Sequence, residues 1–140
     1  MVDVQIGNNV EYLILGGIRH EYDDDLNFCK ATLQLNVEGI KTNIEATIML
    51  EELSQLLSDL KKLYETLKYS FKFGSLEDNV SVEFTPTYSG QINLLGYVRS
   101  SNYNSSVNFE ITTDQTFLPE TIIQLQEAIA NLTAQKSNNQ

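Results

Sequence analysis

Apolar residues fall at every second position along most of this chain. Val2, Val4 and Ile6 alternate with polar neighbours, Gly7-Asn8-Asn9 signals a turn, and Val10, Tyr12 and Ile14 resume the alternation. A strand shows one face to a core and the other to water, so a period of two is its signature. Gly16-Gly17 breaks or bulges the second strand. Cys29, Ala31, Leu33, Leu35 and Val37 then share one face, with Lys30, Thr32, Gln34, Asn36 and Glu38 on the other. Glu38-Gly39 opens a tight turn, after which Ile44, Ala46 and Ile48 point inward and Asn43, Glu45 and Thr47 outward. The two runs predict a β-hairpin.

The period then changes. Leu53, Leu56, Leu57, Leu60, Leu63, Tyr64 and Leu67 line one side of a helix predicted from about Leu50 to Leu67. Glu51 and Glu52 in its first turn and Lys68 at its end suit the helix dipole. Alternation returns with Tyr69, Phe71 and Phe73, then with Val80, Val82 and Phe84 up to Pro86. Ile92, Leu94, Gly96 and Val98 line the next strand, with Leu95 and Tyr97 on its other face. After a polar loop, Val107, Phe109 and Ile111 form a last strand. Pro119 suits the first turn of a closing helix that carries Ile122, Leu125, Ile129 and Leu132. The expected fold is α+β: a mostly antiparallel, twisted sheet of about eight strands with two helices packed on one face, in the order ββββαββββα. The other face is left polar, for solvent or a partner. Residues 1–133 form one domain in this reading, and residues 134–140 a frayed polar tail.

Composition adds a compartment and a charge. The 140 residues suffice for a core without metals or disulfides. No apolar run spans a membrane, no secretory signal is visible, and Cys29 is the single cysteine, so a cytoplasmic protein is expected. Net charge is −10. Asp3, Glu11, Glu21, Asp23, Asp24 and Asp25, against Arg19 alone, put half of it in the first 27 residues. Nucleic acid and anionic membranes are repelled by such a chain, and a basic protein is attracted.

The chemistry is sparse. One histidine, His20, excludes a two-histidine metal motif, and its acidic neighbours place it at the surface. Cys29 reads as a small buried thiol. Asp23-Asp24-Asp25 lacks the alternating ligands and glycine of a calcium loop and reads as an acidic docking patch or a solvated loop. No phosphate loop or nucleophile elbow is present, so no enzyme, metal or cofactor is expected. Tyrosines are more suggestive: Tyr88, Tyr97 and Tyr103 lie in or near residues 86–106, and Tyr103 is set among serine and asparagine. That composition binds protein surfaces at low entropic cost. The candidate partner-binding residues are Glu21, Tyr22, Asp23, Asp24, Asp25 and Tyr103.

The hairpin Phe28–Met49, the helix start Leu50-Glu51-Glu52-Leu53 and the leucine stripe resemble the WapI type of bacterial immunity protein. Tyr69-Ser70-Phe71 through Val80-Ser81-Val82-Glu83-Phe84 is similar to the strand pair after that family's helix. Val107-Asn108-Phe109-Glu110-Ile111-Thr112-Thr113-Asp114-Gln115-Thr116, followed by Leu118, resembles its final strand and closing helix. The likeness runs over roughly residues 11–132 in order of elements. It implies a cytoplasmic antitoxin that binds and blocks a cognate toxin domain, in that family a tRNA-cleaving one, with no catalytic motif of its own. The alternative expectation is a non-catalytic interaction module, including one that self-associates through an open sheet face.

Overall fold

A computed structural model describes residues 3–21 and 27–138. Strands β1 (Val4–Gly7), β2 (Tyr12–His20), β3 (Phe28–Val37) and β4 (Ile40–Met49) precede helix α1 (Leu50–Thr66). Strands β5 (Phe71–Gly74), β6 (Val80–Pro86), β7 (Gln91–Arg99) and β8 (Ser106–Asp114) follow, then a single 3-10 turn (Gln115–Phe117) and helix α2 (Leu118–Asn138). The order ββββαββββα and the α+β class match the expectation from periodicity.

The strands do not form one sheet. They divide into two antiparallel four-stranded sheets, ordered β1-β2-β3-β4 and β5-β6-β7-β8. Each sheet is contiguous in sequence because short turns pair each strand with the next. α1 carries the chain from one sheet to the other, so β4 and β5 are never partners. The helices are therefore not laid side by side on one face of a single sheet. They pack on each other, and α2 runs beside β1. One hydrophobic core joins both sheets and both helices, with Leu33, Leu53, Leu60, Phe84, Ile111 and Leu125 fully buried. Burying each such side chain stabilises the fold by about 1.5–3 kcal/mol.

Local chemistry explains the joints. Glu38 and Gly39 both have positive φ, 50° and 83°, the backbone of a two-residue hairpin turn whose twist matches the strands. The β2–β3 register shifts between Gly16 and Arg19, a bulge allowed by Gly17 at φ 57°. Glu52 accepts a hydrogen bond from the Met49 N–H at 2.8 Å and satisfies a donor at the start of α1. The edge of β1 is closed by α2: the Gln5 N–H donates to Gln124 Oε1 at 2.8 Å, and the Thr121 hydroxyl donates to the Gln5 carbonyl. α2 continues as helix to Asn138, through the segment expected to be a tail.

His20 also departs from expectation. It ends β2, is half-buried rather than at the surface, and its Nε2 lies 2.7 Å from the Leu132 carbonyl of α2. The core-facing side chains of β2 are Leu13, Leu15 and Ile18, not the Tyr12 and Ile14 series that the alternation picks out, and beyond the bulge pairing with β3 resumes at Arg19 and His20. Cys29 is fully buried, as expected. Burial, with the charge of Glu21, pushes its thiol up to about 11.

Candidate partner-binding surface

The residues singled out in the sequence do not gather in one place. Glu21 follows β2, and its carboxylate pairs with Lys30 at 3.4 Å. Lys30 also lies 3.5 Å from Glu45, which pairs with Arg19 at 3.4 Å. Burial pulls the Lys30 ammonium down, but Glu21 and Glu45 together outweigh it and raise its pKa. The Glu21 side chain is only 13% exposed and its charge is already matched, so it offers little to a partner. Tyr22, Asp23, Asp24 and Asp25 lie outside the described residues. Tyr103 lies in the turn between β7 and β8 of the other sheet, and no contact joins it to Glu21 among the described residues.

Around Tyr103 the structure assembles a cluster that the sequence did not disclose. The β5–β6 turn and the β7–β8 turn lie at the same end of the second sheet, and their side chains lace them together. The Tyr97 hydroxyl donates to Asp78 Oδ1, and Arg99 Nη1 donates to Asp78 Oδ2 at 2.7 Å. The Arg99 guanidinium lies 4.6 Å over the Tyr97 ring. The Tyr103 hydroxyl donates to the Glu77 carbonyl at 2.7 Å. Asn79 Nδ2 donates to the Arg99 carbonyl at 3.1 Å, and the Arg99 N–H returns a bond to the Asn79 carbonyl at 2.7 Å. Asp78 and Tyr103 adopt positive φ, 57° and 61°, and these bonds hold them there. The bond to Asp78 raises the Tyr97 phenol above the usual tyrosine range, with burial adding to it.

This end of the sheet is rigid and amphipathic. Leu76 is 70% exposed in the β5–β6 turn and Leu95 is 53% exposed on the outer face of β7. The register sets Leu95 between Glu83 and Glu110. Neither carboxylate has an ion-pair partner among the described residues. Apolar and aromatic groups held in place, with unpaired carboxylates beside them, lose little entropy when a basic surface docks. Sequence reasoning marked Tyr97 and Tyr103 but missed Asp78, Arg99 and Leu76. Counting the β6–β7 hairpin register back from Pro86 and Ile92 would have brought residues 78–79 beside Arg99.

A polar cleft lies between β1, β8 and α2, lined by amides, hydroxyls, Asp114 and Glu120. Asp114 is held below the usual carboxylate range by two hydrogen bonds from Thr116. Among the described residues, no group of three His, Cys, Asp or Glu side chains could hold a metal ion. No helix among them is long and apolar enough to cross a membrane. Against known proteins, residues 4–133 match the immunity protein WapI-like family. The comparison with curated proteins gives no match.

Proposed function

Because the chain belongs to the WapI-like immunity protein family, we propose that it binds and neutralises a cognate nuclease toxin in the cytoplasm. It acts by stoichiometric contact and not by catalysis. Family membership over residues 4–133 carries this reading, and the charge supports it. A nuclease that grips phosphates presents a basic surface, and a chain of net charge −10 is steered toward it. In this reading Asp23, Asp24 and Asp25, with Tyr22, attract the toxin, Glu21 being already matched by Lys30, and the laced end of the second sheet with Tyr103 holds it.

These two roles separate kinetically. Replacing Asp23, Asp24 and Asp25 by Asn slows association and flattens its salt dependence, since net charge acts on encounter. Tyr103→Ala speeds dissociation, because a positioned aromatic anchor acts after encounter. The test is surface binding kinetics against the toxin domain encoded beside this gene, at low and physiological salt. No complex at low salt would overturn the reading. A complex whose rates ignore all four residues would leave the role standing and remove this surface.

A further inference from the structure

The two sheets have long edges, and they are treated differently. β1 is sealed by Gln124 and Thr121 of α2. β4 is not. Its hydrogen-bond phase follows from the two-residue turn at Glu38-Gly39, which makes Val37 and Ile40 a bonded pair. The Leu50 N–H donates to the Asn27 carbonyl at 2.9 Å, and that bond keeps the same phase at the other end of the strand. Even-numbered residues of β4 thus bond β3, and the N–H and C=O groups of Lys41, Asn43, Glu45 and Thr47 face away from it. Among the described residues those groups make no hydrogen bond. Met49, next in that series, gives its N–H to Glu52.

Lys41 and Glu45 are the charged residues of β4. The strand has no proline, and its pairing with β3 is unbroken over ten residues. Ile40 is 51% exposed and Ile44 is only partly covered at the rim of the core. The one buried side-chain polar atom without a partner among the described residues, Thr42 Oγ1, is on the same strand.

We propose that β4 is the edge through which two copies of this chain join, antiparallel and about a two-fold axis at Asn43. In that register Lys41 faces Glu45 of the second copy, and Glu45 faces its Lys41. Outward-facing backbone groups meet outward-facing backbone groups, and Thr42 lies opposite Ile44 of the second copy. Cross-strand pairs of opposite charge favour this alignment. The two-fold repeats each pair, as an isologous interface requires. β8, the other long edge, offers Glu110 and Asp114 and no cation, so two copies meeting there repel.

Sedimentation velocity tests the proposal without any toxin, so its result is independent of the neutralising role. Wild type sediments as a dimer of twice 15.8 kDa. Lys41→Glu and Glu45→Lys each put like charges opposite one another and weaken the dimer on the order of tenfold or more. Mixing the two variants restores opposite charges at both positions and restores the dimer. Glu45→Lys also breaks pairs with Arg19 and Lys30. Should it fail to fold, Asn43→Pro replaces it: the lost N–H faces away from β3, so folding survives and the dimer does not. A monomeric wild type at every concentration overturns the proposal. So does a variant that stays dimeric alone, or a mixture of folded charge variants that stays monomeric.

Discussion

Gly96 is the position where one added carbon should do the most damage. It lies in the middle of β7, opposite Val82 on one side and Phe109 on the other. A Cβ built there falls 1.9 Å from the Ser81 carbonyl oxygen and 2.9 Å from its carbon. Contacts under 3.0 Å are essentially never seen, so the β6 backbone must move by about 1 Å. The Arg99–Asn79 and Thr87–Gln91 bonds fix the phase of this pair of strands and make Ser81 and Tyr97 a hydrogen-bonded pair. A shift of about 1 Å stretches an N–H···O bond from about 2.9 Å to about 4 Å, where it no longer holds. Two backbone bonds lost in a partly buried sheet cost about 1–3 kcal/mol each. Alanine returns about 0.5–1 kcal/mol of backbone entropy. Gly96→Ala should therefore destabilise the fold by about 1–5.5 kcal/mol. For 140 residues that lowers Tm by roughly 3–19 °C. Urea unfolding followed by circular dichroism measures the loss. A variant within about 0.5 kcal/mol of wild type, the range of neutral surface changes, would refute the close approach of β6 and β7.

Three further outcomes follow from the described geometry. Leu60, fully buried in α1, should cost about 2–5 kcal/mol when truncated to Ala, and an unchanged thermal melt would remove it from the core. The Cys29 thiol, raised to about 11, should resist alkylation at neutral pH in the native state, and rapid modification there would contradict its burial. A folded pKa above the unfolded one, as at Tyr97, gives stability present below the unfolded value and lost as pH rises through the folded one. An ultraviolet titration should show two phenols, Tyr69 and Tyr97, ionising above the ordinary range, with one of them lost in Tyr97→Phe and shifted down in Asp78→Asn; a Tyr97 titrating normally would break the Asp78 bond.

Period two and period 3.6 identify strands and helices because each is set by neighbours a few residues away; in β2 the run Tyr12-Leu13-Ile14-Leu15 fits either face, and the core takes Leu13 and Leu15 while Val10 is 75% exposed. Leu53, Leu56, Leu60 and Leu63 are all buried, and Leu95 points outward. The separation into two sheets is different in kind. Whether β4 meets β5 depends on where α1 delivers the chain, and alternation in either strand is the same in both cases. The Tyr97–Asp78–Arg99 cluster was hidden for a related reason: its members are separated by about twenty residues and joined only by register. His20 and Leu132 are 112 residues apart, and nothing local to the histidine announces the contact.

The seal on β1 has a consequence in time. Thr121 follows Gln5 by 116 residues, so the ribosome finishes β1 long before the helix that covers it exists. At about 5–20 residues per second that interval is roughly 6–23 s. Hairpins form in about 1–10 μs, so the first sheet can zip as soon as its strands have emerged. The nascent chain thus carries β1 with its flank uncovered until α2 is made. Truncated chains ending before Thr121 should aggregate on the ribosome or after release, and chains extended past Leu132 should not. The last helix is a late clasp on the earliest strand.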